Sequence, residues 1–217
     1  MAAGIVIAAV LRPPVEAAVV DRYAARVLSP AAIAPDSIAK AVGDARILVP
    51  AVGVRFDRRL IDALPDGVGL IANFGAGTDH IDLAAAAVRG ILVSNTPDVL
   101  TAATADVAML LILAALRGAS EAERELRAGG WRGWTPDDVR GHDLAGRTLG
   151  IWGFGRTGRA TAARSAAFGM RTVYHGRGRH QNEAGAQFIA DRPSFLGGLD
   201  VLSLHMPANA ETRGILD

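Results

Sequence analysis

The chain has 217 residues, half of them apolar and 21% charged, with a formal net charge of +1, a globular profile that excludes a disordered or fibrous chain. Arginines and acids are interspersed along the chain, which argues against a nucleic-acid or anionic-membrane surface, because those need clustered basic residues. With no cysteine, disulfide frameworks, thiolate nucleophiles and Cys-ligated zinc are excluded, and no residues are assigned to a metal.

The opening "MAAGIVIAAVLRPP" is apolar but lacks a charged leading region and is much shorter than the roughly 20 residues that span a bilayer. It reads as a buried first strand. Further apolar runs follow, "ARILVP" from Ala45, "VGLIANF" from Val68 and "ILVSN" from Ile91, separated by helical stretches such as "VEAAVVDRYAARV" and "DRRLIDALP". Alternation of this kind is the parallel α/β signature. The runs are continuous instead of alternating, as expected when helices cover both faces of a sheet. Residues 1–97 are therefore expected to form one α/β unit.

Next comes a long helix, with Thr96-Pro97-Asp98 as its expected start and Gly118 just beyond its apolar stretch. "VAMLLILAALR" from Val107 is apolar around almost its whole circumference, so it is expected to be buried on all sides. The stretch is closer to a buried helix than to a membrane span. We assign it as a hinge and homodimer element, although a central helix within one monomer fits the pattern equally. A cytoplasmic location is the default expectation. Trp131 and Trp134, in the connection that follows, read as packing residues ahead of ligand contacts. Residues 98–217 are assigned to this hinge helix and a partial dinucleotide-binding domain.

Gly153-Phe154-Gly155-Arg156-Thr157-Gly158 fits G-x-G-x-x-G between the apolar strand "TLGIW" and an Ala-rich helix, which is the context the dinucleotide fingerprint requires. The first glycine permits a tight turn, the second lets backbone approach a pyrophosphate and the third packs helix on strand. An NAD site places an acid at the end of the next strand, on the ribose 2'-hydroxyl. Here that strand, "MRTVYH", runs into His175-Gly176-Arg177-Gly178, and no acid occurs between Gly158 and Glu183. Arg177, with Arg179 as a second candidate, can instead meet a 2'-phosphate through charge-assisted bonds. NADP(H) is thus the preferred cofactor, and NAD(H) stays open.

Four collinear segments, "NFGAGTDHIDLAAAAVRGILVSNTPDVLTAATADVAMLLILAALR", "GHDLAGRTLGIWGFGRTGRATA", "YHGRGR" and "DVLSLHMPANAETRGILD", resemble the D-isomer-specific 2-hydroxyacid dehydrogenases, particularly the glyoxylate/hydroxypyruvate reductase branch. The resemblance implies a flavodoxin-like N-terminal substrate domain and a Rossmann-type doubly wound cofactor domain, incomplete here. It also implies NAD(P)H-dependent reduction of a small 2-oxo acid to the D-2-hydroxy acid. Ala76 and Gly77, in the loop from Gly75, match backbone that holds the substrate carboxylate. Thr104 matches a position facing the cofactor, and His205-Met206-Pro207 with Thr212 match its adenosine and nicotinamide lining. Asp79 and Asp82 are expected to serve turns and caps.

In the family an Arg clamps the substrate, a His donates the proton and a Glu holds that His. All three follow the point matching Asp217, so no catalytic residue is assigned and little or no turnover is expected of this chain. Only enough strand for the first mononucleotide half is legible after Gly146, which leads us to expect a fragment or a shortened gene product. A non-catalytic NAD(P)-binding sensor or corepressor-like dimer, and a dehydrogenase of formate or phosphite, are the alternatives.

Overall fold

A computed structural model describes residues 4–34, 37–134 and 141–216. The expected connection through residues 135–140 and the terminal Asp217 lie outside the described residues. The chain divides into two compact units, one running up to Val99 and including the segment from Pro207 onward, the other Leu100–Met206.

The first unit contains β1 (Ile5–Ala8), α1 (Pro13–Tyr23), β2 (Arg26–Val27), a 3-10 turn (Pro30–Ile33), α2 (Ile38–Val42), β3 (Ile47–Pro50), α3 (Arg58–Ala63), β4 (Leu70–Ala72), α4 (Leu83–Val88) and β5 (Leu92–Ser94). Its strands are all parallel in the order β2-β1-β3-β4-β5, the flavodoxin-like doubly wound arrangement. Successive β1 residues point to opposite faces: Val6 and Ala8 join the core with Ile38, Leu48, Phe56 and Ile71, whereas Ile7 joins Leu11 and the partly buried Val15 and Val19. Both faces are thus covered, which explains the continuous apolar strands. Asp57 and Asp82 cap α3 and α4, accepting from Leu60 N and Ala85 N at 2.9 Å each. Asp82 therefore serves as the cap the sequence suggests. The sequence runs α1 through Arg26-Val27, but Ala24 adopts a left-handed conformation at φ 49, which ends the helix and frees β2 to pair with β1.

The second unit contains α5 (Thr101–Arg117), α6 (Ala119–Arg127), β6 (Thr148–Trp152), α7 (Arg156–Ala166), β7 (Arg171–His175), β8 (Gln187–Phe188), α8 (Arg192–Leu196) and β9 (Val201–Leu204). Its sheet is parallel, ordered β8-β7-β6-β9. β6 is buried at all five positions, as a central strand between helical layers requires. More is present than the first mononucleotide half read from sequence: β9 pairs on the far side of β6, so the point where strand order reverses lies within the described residues. Ligands of open α/β sheets bind at such switch points, beyond the carboxyl ends of the strands.

Two expectations for α5 change. Asp98 sits at φ 72 and Val99 N bonds Pro97 O, a turn that delays the helix start to Thr101. Only Ala105, Met109, Ile112 and Leu116 are buried on this helix, whereas Val107, Leu110 and Leu111 are 53–62% exposed. Burial on all sides is not achieved among the described residues. Among the described residues Trp131 and Trp134 are also exposed. No single helix among the described residues is long and apolar enough to cross a membrane.

Candidate functional site

In the second unit the glycine turn joins β6 to α7. Gly153 adopts φ +97, and a Cβ there would fall 2.6 Å from Met206 N and 2.7 Å from the His205 carbonyl carbon. The tight turn and the close passage of the β9 exit therefore both demand glycine. A Cβ on Gly158 would lie 2.4 Å from Gly153 O and 3.1 Å from Ile151 Cγ2, which seats α7 on β6. Gly155 differs, since a Cβ there would meet nothing within 4 Å. Its missing side chain answers no demand of the protein's own packing. Gly155 is the N-cap of α7 without a side-chain cap, and the first turn carries no acid. Orphan amides and the positive helix end at this spot suit an anion, and so fit a dinucleotide pyrophosphate.

Strand β7 reaches the same turn, Gly153 N donating to His175 O at 2.9 Å. The His175 ring is turned to the protein: Nδ1 donates to Ile189 O at 2.9 Å, and the ring stacks on Phe195 and meets Trp152 edge-on. Gly176 lies beside the glycine turn, its Cβ position 4.0 Å from Phe154 N. Arg177 is exposed and makes no ion pair with any described residue. Arg179 is committed elsewhere, holding Glu183 through Nε at 3.0 Å and Nη2 at 2.9 Å. Of the two arginine candidates, the structure leaves Arg177 available.

His205 follows β9, its N bonded to Trp152 O at 2.8 Å and its Nε2 2.8 Å from Ser203 Oγ. Burial pushes this imidazole below its ordinary value. Gly153, Gly155, Gly158, His175, Gly176, His205 and Met206 thus converge at one end of the β6 sheet. Thr104 is exposed on α5, with no bond among the described residues to the glycine turn. Pro207 and Thr212 fall in the segment grouped with the first unit. Thr212 Oγ1 donates to Pro207 O at 2.6 Å and accepts from Asn209 N at 2.9 Å, a role in its own turn.

In the first unit the loop after β4 is built around two asparagines that sequence reasoning did not single out. Asn73, 2% exposed, donates through Nδ2 to Gly75 O at 3.1 Å and Gly77 O at 2.9 Å. Asn95 Nδ2 donates to Ala76 O at 2.7 Å, and Thr96 N to Gly75 O at 3.0 Å. Three successive carbonyls are therefore held by the protein. The amides of Ala76 and Gly77 make no hydrogen bond with any described residue, leaving consecutive donors of the sort that bind a carboxylate. His80 Nε2, 3.1 Å from Asn73 Oδ1, fixes which end of that amide faces the loop. The only sequence signal was position, two asparagines flanking a glycine loop.

Among the described residues no group of His, Asp and Glu could hold a metal ion. Residues 109–217 match the D-isomer specific 2-hydroxyacid dehydrogenase family, in its NAD binding domain. The chain belongs to this family. It is 42% identical over 172 residues to the glyoxylate reductase of Thermococcus litoralis, covering 76% of this chain and 51% of that protein. Among solved structures, a glyoxylate reductase from Paecilomyes thermophila is similar at TM-score 0.86 and 34% identity, covering 98% of this chain and 67% of that one. The NADPH-dependent glyoxylate/hydroxypyruvate reductase of Sinorhizobium meliloti, in complex with NADP and malonate, gives TM-score 0.82 at 32% identity, covering 96% of this chain and 63% of that one. The chain spans about half the length of the curated relatives it matches.

Proposed function

We propose that this dehydrogenase-family chain supplies the cofactor cradle and the carboxylate loop of an NADPH-dependent reductase acting on a small 2-oxo acid of the glyoxylate or hydroxypyruvate kind. The observation that carries the proposal is the contrast within the glycine turn: Gly153 and Gly158 are filled by protein, and Gly155 is open beside uncapped helix amides. The glyoxylate reductases among its relatives, one of them seen with NADP, support the reaction class.

Reduced nicotinamide, when bound, supplies hydride to a carbonyl carbon. The residues of this chain hold and orient. Amides at Gly155 and the first turn of α7 bind the pyrophosphate. The Arg177 guanidinium meets the 2'-phosphate, since no acid stands at the end of β7 to repel it. The Ala76 and Gly77 amides take the substrate carboxylate, fixing which carbonyl is presented. Thr104, Phe154, Arg156, Thr157, Gly178, His205, Met206, Pro207 and Thr212 complete the cofactor lining, and no histidine of this chain is assigned the proton transfer. The proposal includes a cytoplasmic homodimer formed by a second copy over the exposed row Val107, Leu110 and Leu111, because an apolar stripe at helical spacing on α5 is otherwise left in water.

Titration of the 217-residue chain with NADPH and NADH tests the cofactor assignment. We expect NADPH to bind more tightly and Arg177→Asp to abolish or reverse that preference. An unchanged preference in the variant overturns it.

A further inference from the structure

The turn carrying Arg177 contains Gly176 and Gly178, and a glycine-rich turn is entropically costly to hold in one conformation. An arginine on such a turn reads a phosphate well only if the backbone beneath it is held in advance. Tyr174, the largest fully buried side chain, stacks on Phe154 of the glycine turn, centroids 3.8 Å apart and planes 15° apart. Its hydroxyl accepts from His180 N at 2.8 Å and donates to Glu183 Oε1 at 3.0 Å. Glu183 accepts both bonds from Arg179. From α7, Arg159 Nη1 donates to Phe154 O at 3.2 Å and lies 2.6 Å from His180 Nε2. The turn is therefore tied at Arg179 and His180, and it begins at Gly176 close to the backbone of Phe154.

We propose that Tyr174 and Glu183 are positioning residues for cofactor choice: together they brace residues 176–180 against the glycine turn, so that Arg177 stands where an adenosine 2'-phosphate would lie. The proposal rests on the assignment of this turn to NADPH. It also accounts for the Glu183 carboxylate beside the turn. Arg179 and the Tyr174 hydroxyl hold the Glu183 carboxyl below its ordinary value, and the bidentate pairing offsets the charge that would otherwise repel a phosphate. Arg179 is spent on this task, which is why it does not read the phosphate itself.

Two probes that need only the adenosine end test the brace on the 217-residue chain: adenosine 2',5'-bisphosphate, which carries the 2'-phosphate, and adenosine 5'-monophosphate, which does not. Tyr174→Phe removes the hydroxyl and keeps the ring. It should weaken the bisphosphate about tenfold and leave the monophosphate unchanged. Glu183→Gln, on the surface side of the same network, should do the same, and Tyr174→Phe should add nothing to Arg177→Ala. Equal losses for both probes would mean general packing and overturn the brace, as would additive losses or tighter bisphosphate binding in Glu183→Gln. If Arg177→Ala changes bisphosphate binding and both brace variants do not, the brace fails and the NADPH assignment stands. If Arg177→Ala itself leaves the ratio of the two probes unchanged, both fail.

Discussion

Gly158 rests its bare Cα on the carbonyl oxygen of Gly153, so closely that a Cβ would stand 2.4 Å from that oxygen. Backbone cannot yield as a flexible side chain can, so Gly158→Ala should cost about 1–3 kcal/mol, the scale of overpacking, read as a lower urea midpoint. Gly155→Ala should leave the midpoint alone, because nothing lies within 4 Å of its Cβ position. The same variant should weaken NADPH binding by roughly tenfold, since the methyl group intrudes on the pyrophosphate path. A midpoint loss at Gly155 equal to that at Gly158 would contradict the division between packing and binding glycines.

Asn73 is buried, and its side-chain amide supports two carbonyls and His80. Asn73→Ala should destabilise the first unit by about 1–3 kcal/mol, the cost of leaving buried polar groups unmatched. Loss of the two tethers should also let the Gly75 and Gly77 carbonyls swing outward. Binding of oxamate, followed by NMR shifts of the Ala76 and Gly77 amides, should then disappear. Retained shifts at those amides would separate Asn73 from the anion loop.

Asp200 accepts from Thr148 N at 2.7 Å and from Arg147 Nη1 at 2.7 Å. The backbone N–H first, and the guanidinium second, hold its carboxyl below the ordinary value. A depressed folded value means that the stabilisation is present above the unfolded carboxylate range, about pH 4, and is lost as pH falls toward the folded value. Asp200→Asn should therefore be less stable than the parent at neutral pH, with the gap closing in acid. Urea midpoints across that range check the sign, and a gap that widens in acid would refute it.

Leu110 and Leu111 lie side by side on the exposed face of α5, while Met109 and Ile112 fill its buried face. Charge on the exposed face alone should spare the fold and disrupt association. Leu110→Asp should convert a dimer to a monomer in light scattering with an unchanged circular dichroism spectrum. A parent chain that is monomeric at high concentration would remove the dimer proposal.

Much of the architecture was legible because its signals are local. Apolar runs in β1, β3, β4 and β6 mark buried parallel strands, and the glycine turn sits between a strand and a helix as its spacing requires. Gly118 ends α5 where the pattern stops, at φ 60. Two-residue β2 was missed because Arg26-Val27 carries no period of its own; pairing to Ile7 and Val6 creates the strand. The start of α5 moved to Thr101 because Asp98 takes a left-handed conformation that proline statistics do not foresee.

The order of residues along the chain was enough to name the fold class, the family resemblance and the glycine turn, since periodicity and motif spacing are properties of neighbouring positions. Which glycine faces protein and which faces open space, which arginine is spent on Glu183 and which is left for an anion, and which amides remain unbonded beside Asn73 were decided by tertiary structure. Those facts depend on groups brought together from distant or separately folded segments, and a hydrogen bond belongs to whichever partner arrives.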